Sequence, residues 1–493
     1  MTQALFIGID IGTQGTKGVL CNGQGEALYE AFRPSCLIRQ GDAVYEEPEE
    51  IFSSVVKVVK ELTEKAGEEA RGIRAIGMDG QMAGIMAVDE GFSPVTPLDS
   101  WLDGRCAPYT ERIRREAGDR AVAKSGGQII HAHAPKILWW KEERPEIYRK
   151  VCKFLEPNGY VAGRLCGLRA EQAVMDYTFL HFNNFSDNLN RRFDPELLAQ
   201  FGVAEEKMPR IVSPEEVLGT VTGEYAAACG LPAGVQVIAG CGDTAASSLG
   251  AGITRPGLAY DVAGTASVFA CATDRFLPDT AHRTLLFSRS VCEGLYLPLA
   301  YISGGGLCLK WFAGITGCSL QELDALAETC REDQTPLFIP HFSGRTFPLD
   351  NRISGAFLGL RPDTGRGEMH RAVMESIAYE YRNYMEILTR TGCIREVSTV
   401  IGVGGGAKSR AFAQIKADVL GARYVTPKKV NSAPHAMAML AAHATGYRPE
   451  PLQQLFRPEE GTVYEPDETR TQSYRTKAEN YLRLLDRYGD YIG

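Results

Sequence analysis

The chain has 493 residues, 44% of them hydrophobic and 23% charged, and that length exceeds what one hydrophobic core normally supports, so two or more domains are expected. A formal net charge of −8 leaves no basic stripe to neutralise a phosphate backbone, which excludes nucleic acid as the main partner. The 13 cysteines form no C-x-x-C pair, no apolar run reaches membrane-spanning length and no signal-peptide pattern opens the chain, so a reduced, cytoplasmic protein without membrane contact is expected.

Residues 4–11 form an apolar run too short for a globular helix and rich in β-branched side chains, which reads as a buried strand. Asp10 interrupts it, and a buried carboxylate needs a cation or donors. Gly12, Gly15 and Gly18 allow a tight turn. Thr13, Gln14, Thr16 and Lys17 supply donors along it, and Val19-Leu20 return as a second strand. The pattern suits a metal-bound phosphate, with Asp10 toward the metal and the hairpin toward the oxygens. An ordinary glycine-rich hairpin with Asp10 bonded to turn amides accounts for it equally well.

Glu49 to Leu62 carries apolar residues at helical spacing, and residues 73–88 read as a strand, a polar turn and a strand, with Gln81 and Met82 at the turn. Trp101, Asp103 and Arg105 follow; carboxylates accept from sugar hydroxyls while an indole covers a C–H face, although a surface turn with an ion pair explains them equally. Residues 135–144 read as a helix stopped by Pro145. His131 and His133 have no third ligand nearby, so a loop or core role is expected of them.

Residues 234–248 run from a strand through Gly240-Cys241-Gly242 into Asp243 and Thr244 at a helix start, the end of an α/β sheet where ligands bind. A plain N-cap role for Asp243 competes and can coexist. Residues 258–270 echo the opening hairpin, with Gly264-Thr265 at the turn, which suggests a duplicated architecture. Gly304-Gly305-Gly306 leads into a helix bearing Lys310. Gly402 to Lys408 joins a strand to a helix at Arg410–Leu420. It nearly matches a dinucleotide fingerprint but lacks the acidic residue about 20 positions on, and Ala407 spoils a P-loop. A glycine shelf for adenosine at Gly404, Gly405, Gly406 and Ala407 needs neither.

Together these stretches resemble the FGGY carbohydrate kinases, relatives of the heat-shock ATPases and actin, from about residue 4 to residue 447. Gly355-Ala356-Phe357-Leu358-Gly359-Leu360 with Glu368 to Glu375 resembles the family's C-terminal signature, and Pro135-Lys136-Ile137-Leu138-Trp139 the N-terminal one. Gly80-Gln81-Met82, Trp101-x-Asp103-x-Arg105 and Gly242-Asp243 are most similar to the xylulokinase branch. The resemblance implies an α/β fold of two actin-like (ribonuclease H-like) ATPase domains with a ligand cleft between them. Residues 1–240 would carry the sugar pocket and first phosphate motif, and residues 241–493 the catalytic carboxylate, second phosphate motif and adenosine motif.

It further implies an ATP- and Mg²⁺-dependent kinase of a small sugar, and a homodimer. Asp243 would be the base. Asp10 and Asp243 would hold Mg²⁺ largely through water. Gln81, Met82, Trp101, Asp103, Arg105, Asp243 and Thr244 would bind a ketose, a pentulose such as xylulose. Gly12, Thr13, Gln14, Thr16, Lys17, Gly264, Thr265, Gly305, Lys310 and Gly404 to Ala407 would bind the nucleotide. Three departures stand out: Ala83 where the branch carries His, no Glu between Gly344 and Arg345, and Asn431 and Ala436 in place of an acidic residue and Gly. The alternatives are a kinase of another ketose, polyol or small hydroxy-carbonyl compound, or a non-catalytic actin-like nucleotide switch.

Overall fold

The apolar opening run forms strand β1 (Leu5–Gly12) and returns through a two-residue turn, Thr13-Gln14, as β2 (Gly15–Asn22). The turn is tighter than expected: Thr16 and Lys17 belong to the returning strand, because pairing runs all the way to Gly12 opposite Gly15. The computed structural model describes residues 3–429 and 431–492. Within them, residues 3–250, 287–294 and 431–456 pack as one unit, and residues 251–286, 295–429 and 457–492 as another.

In the first unit, β3 (Ala27–Pro34), β4 (Ile73–Gly80), β5 (Val217–Thr220) and β6 (Gln236–Ile238) complete a sheet in the order β3-β2-β1-β4-β6-β5. A two-residue strand, β7 (Cys241–Gly242), pairs with the end of β4. Helix α1 (Pro48–Ala66) buries Ile51, Phe52, Val55, Val58, Val59 and Leu62, the one-face spacing of an amphipathic helix, over the β1–β3 meander. Gly18 admits it, since a β-carbon there would stand 2.3 Å from Val58 Cγ1. Asp243 opens α2 (Asp243–Gly250) directly after β7, as the strand-to-helix reading expects.

The second unit repeats the plan. Strands β8 (Leu258–Ala263), β9 (Ser267–Cys271), β10 (Tyr296–Ile302), β11 (Thr399–Val403), β12 (Arg423–Pro427) and β13 (Gly461–Tyr464) lie in the order β10-β9-β8-β11-β12-β13. In both sheets the neighbours are antiparallel, antiparallel, parallel, parallel and antiparallel along that order. The expected duplication is therefore present in strand topology. Helices α3 (Gly305–Thr316), α4 (Arg366–Arg390) and α5 (Arg410–Leu420) belong to this unit.

One late segment rejoins the first unit. Helix α6 (Ala433–Ala444) lies across β1 and β4, where a β-carbon at Gly8 would fall 1.6 Å from the Pro434 carbonyl oxygen and one at Gly77 would fall 2.4 Å from that of Met437. The contact is backbone on backbone, so both strands need glycine. Ala436 is fully buried there; a β-carbon at Gly250 would meet the Asn431 carbonyl oxygen at 2.5 Å and Ala436 Cβ at 3.5 Å. Of the two departures expected in this helix, Ala436 lies in it and Asn431 just before its start, and both sit against Gly250 of α2. Among the described residues, no helix is long and apolar enough to cross a membrane.

Candidate active site

The first unit gathers three carboxylates at the carboxyl ends of its central strands. Asp10 on β1 lies beside Asp79 on β4 in parallel register, and Asp79 pairs on its other side with Cys241, two residues before Asp243. Asp79 is fully buried, and its oxygens meet no donor among the described residues. Burial, with Asp10 and Asp243 close by, holds its carboxyl well above the usual range. Asp10 is likewise raised by burial, opposed first by the Asp79 carboxyl and then by Lys17. Burial, then the Asp10 carboxylate, pushes Asp243 up to about 6, although Thr244 Oγ1 donates to its Oδ1 at 3.1 Å. Among the described residues no group of three His, Cys, Asp or Glu side chains is placed to hold an ion directly; Mg²⁺, which keeps several waters, needs one or two carboxylates, and Asp10 and Asp243 could supply them.

The predicted sugar and phosphate residues of this unit are linked to each other. Thr13 Oγ1 donates to Gln81 Oε1 at 3.3 Å and accepts from the Trp101 indole nitrogen at 3.0 Å. Gln81 Nε2 donates to Glu46 Oε2 at 2.5 Å, and burial pushes the Glu46 carboxyl up to about 6. Trp101 remains 49% exposed. Met82 lies against Gly242, where a β-carbon would come within 2.4 Å of its methyl group. Asp103 is buried and engaged: Oδ2 accepts from the Val44 amide at 2.9 Å, and both oxygens accept from Arg105 Nε. Arg105 also pairs with Asp99 at 2.6 Å and stacks over Trp139 at 4.2 Å.

Other members face elsewhere. Thr16 Oγ1 lies 2.5 Å from Ser54 Oγ on α1, Lys17 pairs with Glu30 at 3.2 Å, and Gln14 is exposed at the turn. Ala83 is buried with φ 60°, and its carbonyl oxygen accepts from Lys136 Nζ at 2.8 Å. His133 is a core residue, fully buried, with Nδ1 3.6 Å from Glu156 Oε1; burial lowers its ring to about 3, a neutral imidazole.

In the second unit, the start of α3 caps the Gly264-Thr265 turn: the Gly306 and Leu307 amides donate to the Gly264 and Thr265 carbonyls, each at 3.0 Å. The glycine run makes that approach feasible, since a β-carbon at Gly305 would strike Ser267 Oγ at 2.1 Å. Thr265 and Lys310 are exposed. Gly404 has φ 89° and crowds the Ala263 carbonyl, while a β-carbon at Gly405 would meet nothing within 4 Å. Packing thus accounts for glycine at 404 and not at 405; an open, side-chain-free backbone there fits a flat ligand face. Ala407 is buried behind it.

Asp79 and Glu46 escaped the sequence reading. For Asp79 a signal existed, since it interrupts an apolar strand as Asp10 does; Glu46 carried none.

This arrangement has relatives. The N-terminal domain described as the FGGY family of carbohydrate kinases matches residues 5–250, and its C-terminal domain matches residues 259–445. The chain is 30% identical to a xylulose kinase of Escherichia coli (strain K12), covering 97% of this chain and 98% of that one. It is 26% identical to a gluconokinase of Bacillus subtilis (strain 168), covering 90% and 88%. A crystal structure of xylulose kinase from Rhodospirillum rubrum superposes with a TM-score of 0.91 at 25% identity, over 99% of each chain. With both domains matched and the actin-like ATPase fold shared, the chain belongs to the FGGY family of carbohydrate kinases, phosphotransferases with an alcohol group as acceptor.

Proposed function

We propose that the protein transfers the γ-phosphoryl group of ATP to the terminal hydroxyl of a ketose, a pentulose such as xylulose. The observation that carries the reading is Asp243, a carboxylate with a raised pKa beside Asp10 and Asp79 and one residue from the glycine that touches Met82. Relatives named xylulose kinase support the pentulose. Residues 1–240 would supply the sugar pocket and first phosphate contacts, and residues 241–493 the base and the remaining nucleotide contacts.

Phosphoryl transfer demands positioning and charge neutralisation more than covalent work by the protein. Asp243 accepts the proton of the sugar's terminal hydroxyl as that oxygen attacks the γ-phosphorus, and ADP departs. Asp10, with Asp243 nearby, would hold Mg²⁺ through its water, and the bound ion would offset phosphate charge. Thr13 and Gln14 would contact phosphate oxygens, as would Gly264 and Thr265. Gly305, Lys310 and Gly404 to Ala407 would carry the rest of the nucleotide, with the bare backbone at Gly405 against adenosine.

A neutral acceptor suits the sugar side better than an aldonate. The nearby cations are committed: Arg105 to Asp99 and Asp103, Lys136 to the Ala83 and His131 carbonyls. A carboxylate-bearing substrate would meet Glu46, Asp103 and Asp243 without a matching cation. A coupled ADP-release screen with Mg²⁺ over ketoses, polyols and gluconate tests the proposal. The expected result is the highest kcat/KM on a ketopentose. Preference for gluconate would overturn the substrate class, and ADP release indifferent to every acceptor would favour a nucleotide switch.

A further inference from the structure

The peptide that presents Asp243 is held from behind by a buried polar chain. The Gly242 amide donates to Thr178 Oγ1 at 2.9 Å. Thr178 Oγ1 donates to Asp176 Oδ1 at 2.5 Å, and the Thr178 amide donates to the same oxygen at 2.9 Å. Thr178 is fully buried and Asp176 nearly so. A hydroxyl has one proton, and here it is committed to the carboxylate, so a lone pair faces Gly242.

We infer that Thr178 and Asp176 are positioning residues for the Asp243 carboxylate, acting through the Gly242 amide. The inference rests on Asp243 being the base. The peptide is confined from other directions as well. Gly240 takes φ 73° with its α-carbon packed so closely on β4 that a β-carbon would stand 1.8 Å from the Met78 carbonyl oxygen. Met82 fills the space where a Gly242 side chain would be. Against those walls, the Thr178 hydroxyl supplies the directional contact that sets the tilt of the 242–243 segment. Misplacing a catalytic group by about 1 Å costs on the order of 10²-fold in rate, so that tilt matters to turnover while leaving ligand affinity alone.

Thr178→Val keeps the side-chain shape and removes the acceptor. In the full-length protein its kcat is expected to fall about tenfold or more, with KM for ATP and for the accepted sugar within about threefold of wild type. Thr178→Ser, which keeps the hydroxyl, is expected to restore kcat. Asp176→Ala, which removes the oxygen that accepts the Thr178 proton, is the second variant, for use if the valine protein does not fold; it should lower kcat at unchanged KM. Wild-type kcat in Thr178→Val or Asp176→Ala, or a loss that serine does not rescue, would overturn the inference. Asp243→Asn, assayed alongside, separates the two ideas: an inactive Asp243→Asn with an unimpaired Thr178→Val removes only the positioning role, whereas an active Asp243→Asn removes the base assignment.

Discussion

The two sheets share a strand order and place a carboxylate on the same central strand, yet surround it differently. On β8, Asp261 accepts from Tyr424 Oη at 2.6 Å and Tyr381 Oη at 2.8 Å, and it pairs with the fully buried Lys416. Its parallel neighbour on β11 is Gly402, where a β-carbon would stand 2.0 Å from Tyr424 Oη, so glycine makes the room that the tyrosine uses. On β1, the parallel neighbour of Asp10 is Asp79, a second carboxylate. One sheet neutralises its acid with a buried lysine; the other sets a second, proton-holding carboxyl beside it and, among the described residues, no buried lysine. A buried charge is tolerable when paired and costly when not, so the unbalanced sheet is where an external cation has something to gain. The same element of sequence, an Asp inside an apolar strand, is paired with a lysine in one unit and stands beside a second carboxyl in the other.

Breaking the balanced side should have the largest effect. Lys416→Met leaves Asp261 buried without its cation and is expected to destabilise the protein by about 3–5 kcal/mol, read as a lower denaturant midpoint. Next comes the unbalanced side: Asp243→Asn should lower kcat by about 10²-fold while nucleotide and sugar affinities stay within a few-fold. Near-normal turnover would make the first cluster as structural as the second.

The pH dependence sharpens the contrast further. With Asp243 raised to about 6 and required as the free carboxylate, kcat/KM should fall tenfold per pH unit below a limb near pH 6. A limb near 4, the range of an unperturbed Asp, would mean that neither burial nor the neighbouring Asp10 charge is felt. The smallest effect concerns Asp79. Its folded carboxyl sits well above the unfolded value, so the folded state holds its proton more tightly, and stability is lost as pH rises above about 4. Asp79→Asn abolishes that loss and should raise the melting midpoint at pH 7.5 by about 2–4 °C, with the gain shrinking toward pH 4.

Much of this was legible along the chain because it is local. Turn chemistry at Gly12-Thr13 and Gly264-Thr265 marks both hairpins, periodicity finds α1, and the glycine run that joins a strand to a helix finds α5. A strand running into small residues after Asp243 places that carboxylate at a helix start. The open backbone of Gly405 follows from the same reasoning about glycine. Lys17 was misjudged for a local reason too: the turn closes at Gly15, and the lysine faces Glu30 across the sheet.

What the sequence by itself determined is the duplicated strand–turn–strand plan, its family, and the place of Asp243 at a strand-to-helix junction. Each of these depends on residues within a few positions of one another, where backbone preference and spacing act directly. Only the tertiary structure decided which buried acids are neutralised. Lys416 lies 155 residues from Asp261, and Asp79 lies 69 from Asp10. Likewise, α6 joins the first sheet from far along the chain, Pro434 meeting Gly8 and Met437 meeting Gly77, because those glycines leave its backbone room. Register and close packing bring such groups together, and neither is written in the neighbourhood of the residues it pairs.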